Sequence, residues 1–316
     1  MRGNAELHVA VGVITNEAGE VLITRRREHL HQGGLWEFPG GKLEPGETVR
    51  DALVRELREE LAISVQDASP LLKIRHAYPE YNVILDVWRV HGFGGNPTGV
   101  EDQPVRWMAP EDLTQCEFPP ANRAIVAAVR LPDRYAICDD EVGDSAVLLQ
   151  KLRQLVERGL RLIQLRAKQL DASRYRKVAE AASDYCRSQG IALLLNCGPE
   201  LAAPMGAAGI HLSSANLMKL SERPLGPDAW VAASCHNLEE LRQAERIGAD
   251  FVVLSPVLAT ASHPSAPAMG WSRFGRLVDK ANLPVFALGG MQPWHLSEAK
   301  YHGAQGIAAI RGFCAG

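Results

Sequence analysis

Between residues 49 and 61 apolar side chains recur every fourth position, at Val49, Leu53, Leu57 and Leu61, with mostly charged residues between them. That spacing predicts a helix with one stripe turned toward a core. Its start is marked by the turn Pro45-Gly46, by Thr48 as N-cap and by Asp51 three residues later, a capping-box arrangement. Upstream, residues 7–14 and 21–24 read as strands separated by the turn at 16–19. Downstream, strands are expected at 71–77, 82–90 and 105–108, a glycine-rich loop at 92–97, and a helix at 121–130. From Tyr135 onward the pattern changes. Eight short apolar runs, at 135–138, 162–165, 192–195, 209–212, 230–233, 251–254, 285–288 and 306–310, alternate with amphipathic helical stretches.

These patterns predict two α/β units, residues 1–131 and 132–316, joined by a linker around Leu131-Pro132-Asp133. The second reads as a parallel (β/α)8 barrel. Because that stretch is shorter than the ~250 residues typical of the fold, an open doubly wound sheet is the alternative. A chain of 316 residues is long enough for two cores.

The helix at 49–61 carries the first candidate chemistry. Glu56, Glu59 and Glu60 stand at i, i+3 and i+4, on one face beside the apolar stripe. Like charges so close destabilise a helix unless a cation lies among them. One reading is a Mg²⁺ or Mn²⁺ site that handles phosphate, since carboxylate oxygens suit those ions. The other is a solvated acidic face tied by Arg55 and Arg58. Composition narrows the partners. A formal net charge of −3, with charged residues at 22%, argues against a protein that coats a nucleic-acid polymer and leaves a free nucleotide open as substrate. The six cysteines are scattered with no C-x-x-C, so neither zinc nor a disulfide framework is indicated. No secretory apolar region or long apolar run is present, which makes a reducing cytoplasm, and no membrane partner, the expectation.

The pattern G-x5-E-x7-R-E-U-x-E-E-x-G-U, where U is apolar, is matched by Gly41, Glu47, Arg55, Glu56, Leu57, Glu59, Glu60 and Ile63, with Ala62 in place of glycine. This resembles the Nudix box, and the likeness favours the metal reading. The segments ITRR at 23–26, WEFPGGK at 36–42, EDQP at 101–104 and FPPAN at 118–122 are similar to the MutT-type branch, which hydrolyses 8-oxo-dGTP to the monophosphate and pyrophosphate. The resemblance implies an α/β/α sandwich. It implies Gly40, Glu56, Glu59, Glu60 and Glu101 as the metal set, with Glu56 or Glu101 as the base that activates water. It also places Arg26 and Phe38 against the nucleotide. Arg55 is read as an orienting partner of Glu47. Asn122 offers one donor and one acceptor, the complement of an oxidised guanine with N7–H beside O6. Without that context Asn122 reads equally well as the N-cap of the helix that follows.

The second half is similar to thiamine-phosphate synthase and thiazole tautomerase through YAICD at 135–139, QLRAK at 164–168, GIHL at 209–212, SCH at 234–236, ADFVVLSP at 249–256, Gly270 and LGGM at 288–291. The resemblance implies a ligand site at the C-terminal ends of the strands. Gln164, Arg166, Lys168, Asn196, Ser234, Gly270, Gly289 and Gly290 would bind a thiazole or thiamine phosphate there, and His236 would move protons. His211 reads as a satisfied barrel histidine. Cys197 and Asn216 stand where the synthase pattern has acidic metal ligands, and His263 where it has lysine. That loss of hard oxygen ligands argues against full synthase activity. Three functional readings stand: 8-oxo-dGTP hydrolysis with a phosphate-ester-binding barrel, hydrolysis of thiamine-related diphosphates beside a tautomerase-like barrel, and a non-catalytic phosphate-ester sensor.

Overall fold

Alternation along the first strand builds the layers of the N-terminal unit. In β1 (Glu6–Ile14), Val11 and Val13 enter one apolar cluster while Ala10 and Ile14 enter another. In β2 (Val21–Arg25), Val21 and Ile23 join the first cluster and Leu22 the second. Both faces of these strands are therefore buried, and each needs a cover. The helix α1 (Val49–Leu61) lays Leu53, Leu57 and Leu61 on one side, and α2 (Arg123–Arg130) lays Ile125 on the other. A Cβ on Gly12 would stand 3.0 Å from Leu57 Cδ1, so a bare backbone lets α1 settle onto β1.

The structure is a computed structural model describing residues 6–28, 32–79, 81–100, 103–140, 142–202, 205–260 and 267–314. Its first unit spans Met1–Arg130 and its second Leu131–Gly316. Leu131, assigned to the first unit from sequence, sits in the apolar floor of the second. Five further strands complete the first unit: β3 (Trp36–Glu37), β4 (Gly40–Lys42), β5 (Ser64–Ala77), β6 (Asn82–Gly94) and β7 (Val105–Met108). They form a four-stranded sheet, β4-β1-β6-β5, and a three-stranded sheet, β3-β2-β7. The expected loop at 92–97 begins three residues late, because Gly94 still pairs with Ser64 in a strand longer than its apolar run. The helix expected at 121–130 starts at Arg123, after a 3₁₀ turn over Pro120–Asn122.

The cap of α1 follows the sequence reading. Thr48 Oγ1 accepts from the Asp51 amide at 3.2 Å and donates to its carboxylate at 2.7 Å. At the other end Ala62 takes φ 56°, with its amide on the Arg58 carbonyl and that of Ile63 on Leu57. This is an αL closure, which glycine enters without strain and alanine does not. Ala62→Gly is expected to raise the unfolding free energy of this unit by about 1 kcal/mol. Denaturant unfolding followed by tryptophan fluorescence checks it, and a destabilised variant would refute the strain.

The second unit is a closed parallel ring and not the open alternative. Its strands are β8 (Arg134–Asp139), β9 (Leu162–Arg166), β10 (Ala192–Leu195), β11 (Gly209–Leu212), β12 (Trp230–Cys235), β13 (Phe251–Leu254), β14 (Val285–Ala287) and β15 (Gly306–Ala309). Closure is made by β15 on β8, with Ala308 opposite Tyr135. The ring fits a short chain because two of its helical connections, Pro199–Ala202 and Ser214–Leu217, are single turns. Outward residues pack under the helices. Inward residues Tyr135, Leu162, Leu194, Ala232, Val253, Phe286 and Ala308 make an apolar floor. No helix among the described residues is long and apolar enough to cross a membrane.

Candidate functional site

In the first unit, the segment from β3 to β4 runs close against the acidic face of α1. The Gly40 amide donates to Glu60 Oε2 at 3.0 Å. A Cβ on Gly41 would fall 2.2 Å from the Glu56 carboxyl carbon, so a larger residue there would displace the Glu56 carboxylate. Burial pushes the Glu60 carboxyl up to about 7; the Gly40 hydrogen bond offsets part of this, and Glu37 and Glu56 add to it. Arg55 is the hub. It donates from Nε and Nη2 to the two Glu47 oxygens at 3.0 and 2.9 Å, and from Nη1 to Glu56 at 2.8 Å and Glu59 at 3.3 Å. The orienting role read for Arg55 corresponds to this contact set. Glu59 is thereby turned outward, its side chain 61% exposed. As placed, no three acidic, histidine or cysteine side chains among the described residues converge tightly enough to hold a metal. Glu101 lies outside the described residues. The donor set nevertheless suits a hard dication. Glu56 and Glu60 bring carboxylate oxygens to one side of the helix, where desolvation raises the cost of charge at Glu60 and the nearby Glu56 adds to it. Arg26 reaches the same region paired with Glu37.

On the other face of the sheet, Phe38 is buried and stacks on Phe118, centroids 5.5 Å apart. Asn122 is only 9% exposed; its side chain makes no hydrogen bond among the described residues, and its amide is not among the fully buried unpaired polar atoms. Its backbone N–H joins the Pro119 carbonyl within the 3₁₀ turn, and no side-chain cap bond of the expected kind starts the helix at Arg123. Sequence reading missed Tyr78, whose hydroxyl is hydrogen-bonded to the Ala121 backbone beside Asn122 and to Gln32. No motif marks it, because it arrives from the β5–β6 hairpin.

The barrel site follows from strand period two. Two residues beyond the floor positions come Ile137, Gln164, Asn196, Ser234, Ser255, Leu288 and Ile310, and all line a cavity of about 510 Å³. Arg166, Lys168, His236 and Gly289 line it too. Gly290 and Arg311 face an adjoining cavity of about 290 Å³ that also includes Gly289. Gly289 and Gly290 adopt φ of 99° and 69°, where a Cβ would strike the loop at Pro256–Ala259. Gly270 lines neither cavity, and its N–H is committed to the Val257 carbonyl. Cys197 faces a smaller pocket, Asn216 does not line the main one, and His263 lies outside the described residues. Gln164 donates to Asn196 at 3.3 Å, and Arg166 pairs with Asp139 at 2.6 Å.

His236 Nδ1 lies 2.9 Å from Glu240 Oε2, which also accepts from the His236 amide. Ser214 Oγ donates to the other Glu240 oxygen at 2.8 Å. Burial works against the Glu240 charge, yet the Ser214 and His236 hydrogen bonds hold its carboxyl below the usual range. An anionic acceptor on Nδ1 leaves Nε2 as the basic nitrogen. Glu240 is a second residue that sequence reading missed, although its i+4 spacing from His236 was a usable signal.

Two families account for this architecture. The NUDIX domain model matches residues 10–128. The thiamine monophosphate synthase model matches residues 134–313. The 8-oxo-dGTP diphosphatase of Escherichia coli is 42% identical over 125 residues, 40% of this chain and 97% of that protein. A putative thiamine-phosphate synthase 2 of Aquifex aeolicus is 34% identical over 187 residues, 58% of this chain and 99% of that protein. The thiamine-phosphate synthase of Syntrophomonas wolfei is 30% identical over 178 residues, 56% of this chain and 85% of that protein. The chain thus belongs to both families, a Nudix hydrolase domain followed by a thiamine monophosphate synthase-family barrel.

Proposed function

We propose that the first unit hydrolyses 8-oxo-dGTP to 8-oxo-dGMP and pyrophosphate. The observation that carries this reading is Asn122, a largely buried amide whose side chain has no hydrogen bond among the described residues, four positions beyond the Phe118 that stacks on Phe38. Such a group is available to a ligand, and an oxidised guanine edge is its complement. Gly40, Glu56, Glu59, Glu60 and Glu101 would hold Mg²⁺ or Mn²⁺. When bound, that ion lowers the pKa of water and neutralises the leaving pyrophosphate. Glu56 accepts the water proton in this reading, with Glu101 as the other base. Arg55 keeps Glu56 oriented, and Arg26 contacts the nucleotide. Product identification across 8-oxo-dGTP, dGTP and oxidised thiamine diphosphate tests the assignment. Preference for the last would replace it with a thiamine-related substrate.

For the barrel, we propose a phosphate-ester site in which the Gly289-Gly290 turn takes the phosphate and His236 transfers protons on a thiazole ring. The Glu240–His236 pair supports this reading, and Cys197 and Asn216 in place of carboxylates argue against synthase turnover. His236→Gln is expected to cut tautomer interconversion of a thiazole carboxylate phosphate by about 10²–10⁴-fold while leaving its affinity intact. NMR of the ligand together with calorimetry separates the two effects. Tight binding without turnover in the unaltered chain would favour the sensor reading.

A further inference from the structure

Beneath the barrel cavity, three polar side chains form a chain through an otherwise apolar interior. Tyr135 Oη lies 2.9 Å from His211 Nδ1, and His211 Nε2 lies 2.9 Å from Ser234 Oγ. Tyr135 and His211 are both buried, on β8 and β11, whereas Ser234 on β12 borders the cavity. Tyr135 is also wedged edge-on against Phe251, so its ring has a packing role apart from its hydroxyl.

The direction of this chain is fixed by counting protons. A buried hydroxyl must donate somewhere, and His211 Nδ1 is the acceptor within reach of Tyr135. Nδ1 is then unprotonated and the ring proton sits on Nε2, from which it is donated to Ser234 Oγ. Burial, with Arg166 nearby, pushes the His211 pKa down to about 3, so a second ring proton is absent at neutral pH. Ser234 accepts on one lone pair, and its own proton is left for the cavity.

We propose that Tyr135 and His211 are positioning residues that set the Ser234 hydroxyl as a hydrogen-bond donor, so that the barrel ligand presents an acceptor to it. Ser234 shares its cavity with Gln164, Asn196 and His236, whereas Gly290 and Arg311 line the adjoining one and Gly289 borders both, so the acceptor is assigned to the ligand's ring end. This rests on the phosphate-ester reading above. The reverse orientation would select a donor, so the relay decides which ring tautomer is recognised.

The test uses the full chain, with thiazole phosphate and inorganic phosphate as calorimetric probes. Tyr135→Phe and Ser234→Ala are each expected to weaken thiazole phosphate about 10-fold. The double variant should be no weaker than Ser234→Ala alone, and inorganic phosphate should be unaffected throughout. Long-range ¹H–¹⁵N spectra should show His211 as the Nε2–H tautomer, and Tyr135→Phe should populate Nδ1–H. An Nδ1–H tautomer in the unaltered chain, or strictly additive losses, overturns the proposal. If the unaltered chain binds neither probe, the phosphate-ester reading fails, and the tautomer spectra decide the relay alone.

Discussion

Glu56→Gln and Glu60→Gln should each lower kcat/KM for the nucleoside triphosphate by about 10³-fold or more, with the fold retained. Each substitution is isosteric and removes one charged oxygen from the face that would grip the dication. Charge stabilisation of that kind contributes several kcal/mol in the transition state, which corresponds to a factor of this size. The fold should survive for reasons visible in the contacts. Glu60 is half-buried, and its desolvation, with Glu37 and Glu56 adding to it, raises its carboxyl to about 7, so its ionised form contributes little to stability. A glutamine oxygen there can still accept from the Gly40 amide. At position 56, Arg55 loses one ionic partner but keeps both contacts to Glu47 and one to the Lys42 carbonyl. The measurement is pyrophosphate release at saturating Mg²⁺, paired with thermal melts. Near-normal rates in both variants would remove the metal-face argument, and collapse of the melts would make the role structural.

The two prospective sites differ in how far the sequence exposed them. The acidic face of α1 was legible because helical period alone brings Glu56, Glu59 and Glu60 to one side, and the apolar stripe fixes which side. What the period could not show is that Glu59 turns onto Arg55, since rotamers answer to neighbours far along the chain. The barrel's eight strands were legible as apolar runs, because strands buried on both faces lack polar interruptions. Its cavity was legible where the runs turn polar, at Gln164, Ser234 and Gly289. The longer strands of the first unit were less so. Residues 64–70 include Asp67 and Pro70, and there β5 is held by register with β6 across several bulges, not by hydrophobic pattern. β3 and β4 are too short for any periodicity and exist only through their partners. Tyr78 and the Tyr135–His211 pair were invisible for the same reason: their meaning lies in contacts between distant strands.

Asn122→Ala is expected to erase most of the preference for oxidised over ordinary guanine, while changing stability little. Ordinary guanine offers two acceptors, N7 and O6, on the edge in question, and oxidation at C8 places a proton on N7. Asparagine can accept from that N7–H and donate to O6, whereas against unmodified guanine its carbonyl would meet a lone pair. A site built around such a bond can reject the mismatched analogue by about 10⁴–10⁵. Removal of the amide should therefore lower kcat/KM for 8-oxo-dGTP far more than for dGTP, and shrink their ratio by at least about 10²-fold. The side chain makes no hydrogen bond among the described residues, so truncation breaks no structural contact of that kind. The apolar wall of Phe38 and Phe118 remains to hold either base, which is why binding of both should persist. Paired kcat/KM values decide the matter. Equal losses for the two nucleotides, which leave the ratio unchanged, would mean that Asn122 shapes the pocket without reading the base and would transfer discrimination to other residues such as Arg26 or Tyr78.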